Sequence, residues 1–453
     1  MPQHSATDES PAAALDQGSG TREQASRPAF HFTSPSGWIN DPLGLTFHGG
    51  TYHLFYQHVP GATDWAPQCR WGHATSEDLL EWETGPVALE PGEGDRGCWS
   101  GSIAVGPDGE GTMFYTSVED DAFEIGRART ARPAPGSGTT WEGWVKGPVV
   151  AELPAGEESV AFRDPMVFHD GNCWRMIIGS GRPDGTALAY AWASQDLSAW
   201  RYDGVFASRH SSETDGVWTG SVWECPQAVR VGEKWALLVS VWEPVRPHYE
   251  AYALGDIVEG RFVAEGPWRR LTYGPSYYAG AAYRDKDASP GIVYWLRHVS
   301  DAGAGWAGAH SLPHRLVLVG DRLEIRLPAS LEGRRGPGRP LAALPEQGIA
   351  VGGAFDVDWS HGGSLCLEEG SRNVFRLQRT PDPRTLDPQG AILTATCDLG
   401  QWSVPCNGPV RVVVDGPVVE IIGSFGALAF PAPRQGDTTL AARDAAGTAY
   451  PLG

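Results

Sequence analysis

The 453-residue chain exceeds the size at which a single hydrophobic core keeps growing, so two domains are expected, each with a core of its own. Its 35 basic residues stand against 55 acidic ones, and the net charge of −20 repels nucleic-acid phosphates and anionic membranes, so neither is expected as a partner. A neutral substrate suits that balance, and 19 tryptophans with 13 tyrosines offer flat faces to sugar C–H groups, although most of these rings are expected in the core.

Residues 1–28 are rich in Ser, Ala, Gly, Gln and charged side chains and hold no apolar run of the signal-peptide kind, so they read as a disordered tail on a cytoplasmic protein. No stretch reaches the roughly 18 apolar residues that span a bilayer. Asn40, Asn172, Asn373 and Asn407 all lie outside glycosylation sequons. The seven cysteines are odd in number and scattered, with no C-x-x-C pair, and read as reduced thiols.

Between residues 29 and 315, strand-like runs recur at 51–57, 112–117, 173–178, 235–240 and 292–296, and their starts are 61, 61, 62 and 57 residues apart. Four strands and their loops occupy roughly 40 to 50 residues or more, so five such units fit a five-bladed β-propeller. Two further echoes, Ser76-Glu77-Asp78-Leu79-Leu80-Glu81-Trp82 and Ser194-Gln195-Asp196-Leu197-Ser198-Ala199-Trp200, read as turns whose Ser and Asp bind local backbone. Gly92-Glu93-Gly94-Asp95-Arg96-Gly97 matches a dinucleotide-binding pattern but has no strand before it and no helix after it, so it reads as a surface loop. His48, His53 and His58, five apart, alternate between the faces of an extended strand, and no metal site is expected there. From 316 to 453, short alternating runs at 350–359, 364–367, 374–377 and 410–414 read as a β-sandwich, with the Gly/Pro/Arg-rich stretch 333–340 as an exposed loop. The fold class is therefore all-β.

Just upstream of the repeated runs lie Trp38-Ile39-Asn40-Asp41-Pro42, Trp99-Ser100-Gly101-Ser102, Phe162-Arg163-Asp164-Pro165, Trp223-Glu224-Cys225-Pro226 and Tyr277-Tyr278-Ala279-Gly280. Equivalent positions on successive innermost strands surround the axis of a propeller, so Asp41, Asp164 and Glu224 are expected to converge with Asn40, Arg163 and Ser102. Alone, each Asp-Pro is an ordinary turn and each Trp an ordinary core residue. Three carboxylates brought together repel one another, a cost that glycoside cleavage explains and folding does not.

These segments, with Trp71-Gly72-His73-Ala74 and the run from Val412 to Glu420, resemble glycoside hydrolase family 32, the invertases, inulinases, levanases and related fructan hydrolases; the resemblance covers nearly the whole chain after residue 30. It implies a retaining β-fructofuranosidase acting on sucrose, fructo-oligosaccharides or fructans without a cofactor or metal. It implies Asp41 as nucleophile, Glu224 as acid/base, and Asp164 with Arg163 as the grip on fructose hydroxyls. Asn40, Gln57, Trp65, Ser102, Tyr278 and Trp295 complete the implied sugar pocket, which a polyhydroxylated furanose needs for donors, acceptors and an aromatic wall. Leu43 stands where the family usually has Asn, Gln227 where an acid often follows Glu-Cys-Pro, and Thr272 where Asp is frequent before Tyr-Gly. These departures touch the surroundings of Glu224 and of the leaving group. A fructosyltransferase or difructose-anhydride-forming enzyme of the same family, an inverting arabinan hydrolase and a non-catalytic fructan-binding propeller stay open as alternatives, as does the oligomeric state.

Overall fold

The computed structural model describes residues 27–119, 124–385 and 390–453; of the expected tail, residues 1–26 lie outside the described residues. Five antiparallel units follow one another in the chain. Blade I comprises Gly37–His48, Thr51–Val59, Arg70–Ser76 and Glu83–Thr84, and blade II Gly97–Val105, Gly111–Val118, Arg127–Pro133 and Trp144–Ala151. Blade III is built from Ala161–His169, Trp174–Gly181, Thr186–Ser194 and Arg201–His210, and blade IV from Val222–Val231, Lys234–Glu243, Arg246–Val258 and Arg261–Ala264. Blade V opens with Tyr277–Arg284 and Pro290–Asp301, continues through Trp306–His310 and His314–Val319, and ends with Arg322–Arg326.

The evenly spaced runs of the sequence are the second strands of these blades. Thr51–Val59 and Gly111–Val118 are buried almost throughout, because neighbouring blades cover both faces, and so they read as continuous apolar runs rather than alternating ones. In blade I the two-residue turn Gly49-Gly50 has φ of 59° and 92°, the left-handed pair that a tight hairpin matched to strand twist requires. The ring closes by a parallel pairing of Gly37 with Trp306 and Trp38 with Ala307, which joins the first blade to the last.

The C-terminal part is a β-sandwich. One sheet centres on Gly426–Pro431, Val418–Gly423, Val410–Asp415, Ala354–His361 and Ala446–Pro451; the other runs through Thr438–Arg443, Ser364–Glu369, Arg372–Pro381, Gly390–Cys397 and Gly400–Asn407. Along Val410–Asp415, Val412 and Val414 enter the core between the sheets while Val413 enters the core shared with the propeller. A segment buried on both faces has no polar side, which accounts for the three consecutive valines 412–414. Thr272–Tyr273, between blades IV and V, pairs in parallel with Gly426–Pro431 and stitches the two parts together.

Two local expectations are corrected. The stretch 333–340 is not simply a loop: it completes a 3-10 helix, Ala329–Arg334, and a short strand, Arg339–Pro340, and Arg335 binds Asp356 at 2.7 Å and Asp358 at 2.8 Å. Local composition marks the turns but cannot show a carboxylate pair some twenty residues away. In the Gly92–Gly97 segment, residues 92–94 are exposed but Asp95 turns inward to Tyr115, Arg129 and Lys146, at 2.7, 3.1 and 2.7 Å. The two Ser-x-Asp-Leu-x-x-Trp segments are self-capped turns: Ser76 accepts from the Leu79 N–H and Ser194 from that of Leu197.

Candidate active site

All five innermost strands lose register at the same level, between Ile39 and Pro42, Trp99 and Gly101, Arg163 and Met166, Glu224 and Gln227, and Tyr278 and Ala281. Proline at these bulges has no N–H to give to a ladder, and a bulge is where a strand tolerates it. Asp164, Cys225 and Ala279 take positive φ there, at 68°, 44° and 51°. By the residue that precedes the proline, Asp41, Asp164 and Cys225 are equivalent. Glu224 stands one residue earlier, level with Asn40, Arg163 and Tyr278. The carboxylates therefore come from two adjacent tiers of the ring.

They line a cavity of about 550 Å³ together with Trp38, Asn40, Gln57, Trp65, Trp99, Glu124, Arg163, Trp242, Val245, Pro247, Tyr278 and Trp295. That volume suits a small ligand. Asp41 accepts hydrogen bonds from Ser100 Oγ at 2.5 Å and Asn40 Nδ2 at 3.0 Å. Asn40 Nδ2 also donates to Gln57 Oε1 at 3.1 Å, Trp38 Nε1 donates to Asn40 Oδ1 at 3.2 Å, and Gln57 donates to Ser100. Glu224 Oε1 accepts from Arg163 Nε at 3.0 Å and Nη2 at 2.9 Å, and Tyr278 donates its hydroxyl to Oε2. Asp164 Oδ2 accepts the backbone N–H of Cys225 at 2.9 Å. Trp65 sits at the rim, 48% exposed, with its ring edge-on to Trp99, and Trp295 meets Trp38 edge-on at 5.6 Å.

Electrostatically the pocket is short of cations. Burial and then the charge of Asp164 push the Asp41 carboxyl up to about 7, against the donors Ser100 and Asn40. Burial and then Glu224 push Asp164 up to about 6, against Arg163. Near neutral pH such a group retains a proton that isolated carboxyls would have lost.

Of the residues singled out from sequence, Ser102 is the one outside this pocket. Its hydroxyl donates to Pro165 O and accepts from Val167 N, both at 3.0 Å, and ties blade II to blade III. The bulge at Ser100 breaks the two-residue alternation that would place both serines alike, and Ser100 is the serine that reaches Asp41. Ser100, Cys225, Trp38, Trp99, Trp242 and Glu124 were not singled out as site residues. The first four lie inside the quoted segments, whereas Glu124, in a blade II loop, reaches Arg163 at 2.9 Å with no local signal. The Cys225 Sγ lies 3.7 Å from Asp41 and 3.6 Å from Asp164.

The three unusual residues each have a structural partner. Leu43 is buried against Phe55, Trp71 and Met113. Gln227 donates to Pro226 O at 3.0 Å and accepts from Ala282 N at 3.0 Å, tying the Glu-Cys-Pro bulge to blade V. Thr272 Oγ1 accepts the Glu250 N–H at 3.0 Å. The histidines are packing residues: His48 stacks on Trp141, His53 bonds His73 at 3.0 Å, and His58 bonds Trp38 O at 3.0 Å. Among the described residues no group of three or more His, Cys, Asp or Glu side chains is arranged to hold a metal ion.

Residues 31–326 match the N-terminal domain of glycosyl hydrolases family 32. The chain belongs to glycoside hydrolase family 32. The family-32 match ends at Arg326, the last residue of the outermost strand of blade V. The chain is 32% identical over 316 residues to a sucrose-6-phosphate hydrolase of Zymomonas mobilis, an alignment covering 65% of this chain and 60% of that one. It is 32% identical over 331 residues to a fructan 6-exohydrolase of Beta vulgaris, covering 64% and 52%. A raffinose invertase of Escherichia coli is 31% identical over 357 residues, covering 75% and 72%. The chain thus spans about 60% of the length of the first of these curated relatives. Among solved structures, a family-32 β-fructofuranosidase of Bombyx mori superposes with a TM-score of 0.78 at 24% identity over 94% of both chains. Fructan 1-exohydrolase IIa of Cichorium intybus gives 0.78 at 20% identity over 95% and 98%. Both share the fold.

Proposed function

We propose that the pocket is the active site of a retaining β-fructofuranosidase, which releases terminal β-D-fructofuranosyl residues from sucrose or from fructo-oligosaccharides and fructans. The observation that carries this reading is the placement of Asp41, Asp164 and Glu224, from three different blades, around one tryptophan- and tyrosine-walled cavity. Like charges placed so close destabilise a fold, whereas two-step glycoside cleavage requires a nucleophile and an acid flanking the bond. Asp41, with Asn40 donating to one oxygen and Ser100 and the Cys225 thiol to the other, attacks the anomeric carbon. Glu224, oriented by Arg163 and Tyr278, gives its proton to the departing oxygen and then, as a carboxylate, takes a proton from the water that cleaves the fructosyl ester. Asp164, Arg163, Asn40 and Gln57 take up ring hydroxyls, and Trp65, Tyr278 and Trp295 form the wall.

Among the described residues the cavity lining has four carboxylates and one cation, Arg163, whose guanidinium is already shared by Glu224 and Glu124. A phosphate dianion would enter an acidic pocket with no free cation among the described residues of its lining, so neutral sugars are the proposed substrates. The propeller, which runs through blade V to Arg326, is proposed to carry the chemistry and the sandwich that follows to support it; the boundary expected at 315/316 falls inside the blade V strand His314–Val319. A cytoplasmic setting belongs to the same proposal; all seven cysteines are free thiols, and among the described residues no helix is long and apolar enough to cross a membrane. Chromatography of products from sucrose, raffinose, inulin, levan and sucrose 6-phosphate tests the reading. Fructose release from at least one neutral sugar, at a kcat/KM about tenfold or more above that for sucrose 6-phosphate, is expected. Binding without release would leave a sugar-binding propeller instead, and a preference for the phosphosugar would refute the neutral-substrate assignment.

A further inference from the structure

Glu420 lies on the sandwich strand Val418–Gly423, outside the propeller, and is completely buried. Its carboxylate accepts four contacts, all from propeller-side segments: His31 Nε2 at 2.9 Å, the Tyr277 hydroxyl at 2.7 Å, the Leu312 N–H at 3.2 Å and His314 Nε2 at 3.1 Å. Asp415 completes the group by accepting the backbone N–H groups of Ala29, Phe30 and His31 at 2.7, 2.8 and 3.0 Å and by binding His31 Nδ1 at 2.8 Å. Two buried carboxylates this fully bonded are rigid anchors, because each lost contact would leave a desolvated charge short of a partner.

The anchored segments are those that close the ring. Tyr277 begins the innermost strand of blade V, and Tyr278, next in the chain and facing the pocket, donates its hydroxyl to Glu224. Residues 312–314 follow His310, whose N–H bonds Phe32 O at 2.9 Å and whose Nε2 bonds Asn40 O at 2.8 Å, beside Asp41. Glu420 therefore reaches both sides of the pocket through one intervening residue or short segment on each.

We infer that Glu420 is a positioning residue for the catalytic pair: by pinning Tyr277 and the 312–314 segment it holds the ring-closing seam, with Tyr278 and Glu224 on one side and Asn40 and Asp41 on the other. The inference rests on the proposed fructosidase reading. It gives the sandwich a role in turnover beyond covering apolar surface. The Tyr277 hydroxyl is the most separable contact, since Tyr277→Phe removes it and leaves the ring packing, whereas Glu420→Gln strips the counter-charge from buried His31 and can fail to fold.

The experiment compares wild type, Tyr277→Phe and, as a control, Leu377→Val in the sandwich core, recording kcat, KM and Tm on sucrose. Tyr277→Phe is expected to lower kcat about tenfold with KM changed by less than about twofold, because a small misplacement of reacting groups costs rate rather than binding. The control is expected to lower Tm and keep kcat. Equal kcat for Tyr277→Phe and wild type would overturn the inference. A crystal structure of Tyr277→Phe judges it independently of turnover: displacement of the Tyr278 hydroxyl from Glu224 supports it, and an unchanged contact refutes it. Inactivity of the wild type on every fructoside would refute the functional reading alone.

Discussion

Asp41 is held by Asn40, Ser100 and the Cys225 thiol, and the shortest of these contacts comes from Ser100 at 2.5 Å. A hydroxyl that donates to a carboxylate stabilises its charged form, so it opposes the upward push of burial and of Asp164. Ser100→Ala removes that opposition. The Asp41 pKa then rises further, and because the proposed nucleophile must be ionised, activity is expected to be lost at a higher pH as acid is added. The acid limb of the kcat/KM profile on sucrose is expected to move up by about half to one pH unit. An unmoved or lowered limb would mean that this hydroxyl does not tune the nucleophile. Most of these partners were legible because they sit inside the quoted segments, but Ser100 and Ser102 could not be told apart: a strand read with period two places both on one face, and only the bulge separates them.

Among elements, the even spacing of the second blade strands made the propeller readable, since strands buried on both faces keep a continuous apolar signature. The tier to which each carboxylate belongs became readable only with the bulges, which show Pro42, Pro165 and Pro226 to be level, so that Glu224, separated from its proline by Cys225, stands one residue off. Glu124 and the anchors at Glu420 depend on contacts far apart in sequence. The close approach of blades III and IV is of this kind too. Gly179, on Trp174–Gly181, lies against the Trp223 carbonyl, where an added Cβ would overlap that oxygen and come within 3.1 Å of Pro226 Cδ. Gly179→Ala therefore forces the Glu224 strand aside. It is expected to cost about 1–3 kcal/mol in stability and, at a temperature where the variant is folded, to lower kcat. A variant with wild-type Tm and kcat would show that the blades separate freely.

For the whole molecule, the joint between propeller and sandwich is a titrating one. Burial alone would lower the His31 pKa, but Glu420 and Asp415 outweigh it and raise it from 6.5 to about 9. Burial would raise both carboxyls, but His314 and His31 depress Glu420, and His31 with the N–H groups of Ala29 and Phe30 depresses Asp415. Glu420 also faces Tyr277, and Arg434 lies within the field of Asp415. A raised pKa contributes stability that is full below the unfolded value and is lost as pH rises through the folded one, so the His31 contribution, at most about 3 kcal/mol, fades between pH 6.5 and about 9. The depressed carboxyls act at the other end and lose their contribution as pH falls below the ordinary carboxyl range. The urea midpoint is expected to drop between pH 6.5 and 9, and His31→Leu to flatten that drop; equal slopes in the two proteins would remove His31 from the account. The joint matters because it supports a pocket whose proposed chemistry passes through a fructosyl ester on Asp41, and two displacements at one carbon restore its configuration. Early-time NMR of sucrose turnover tests that claim most directly: β-D-fructofuranose as the first product is the predicted result, and α-D-fructofuranose appearing first would contradict it.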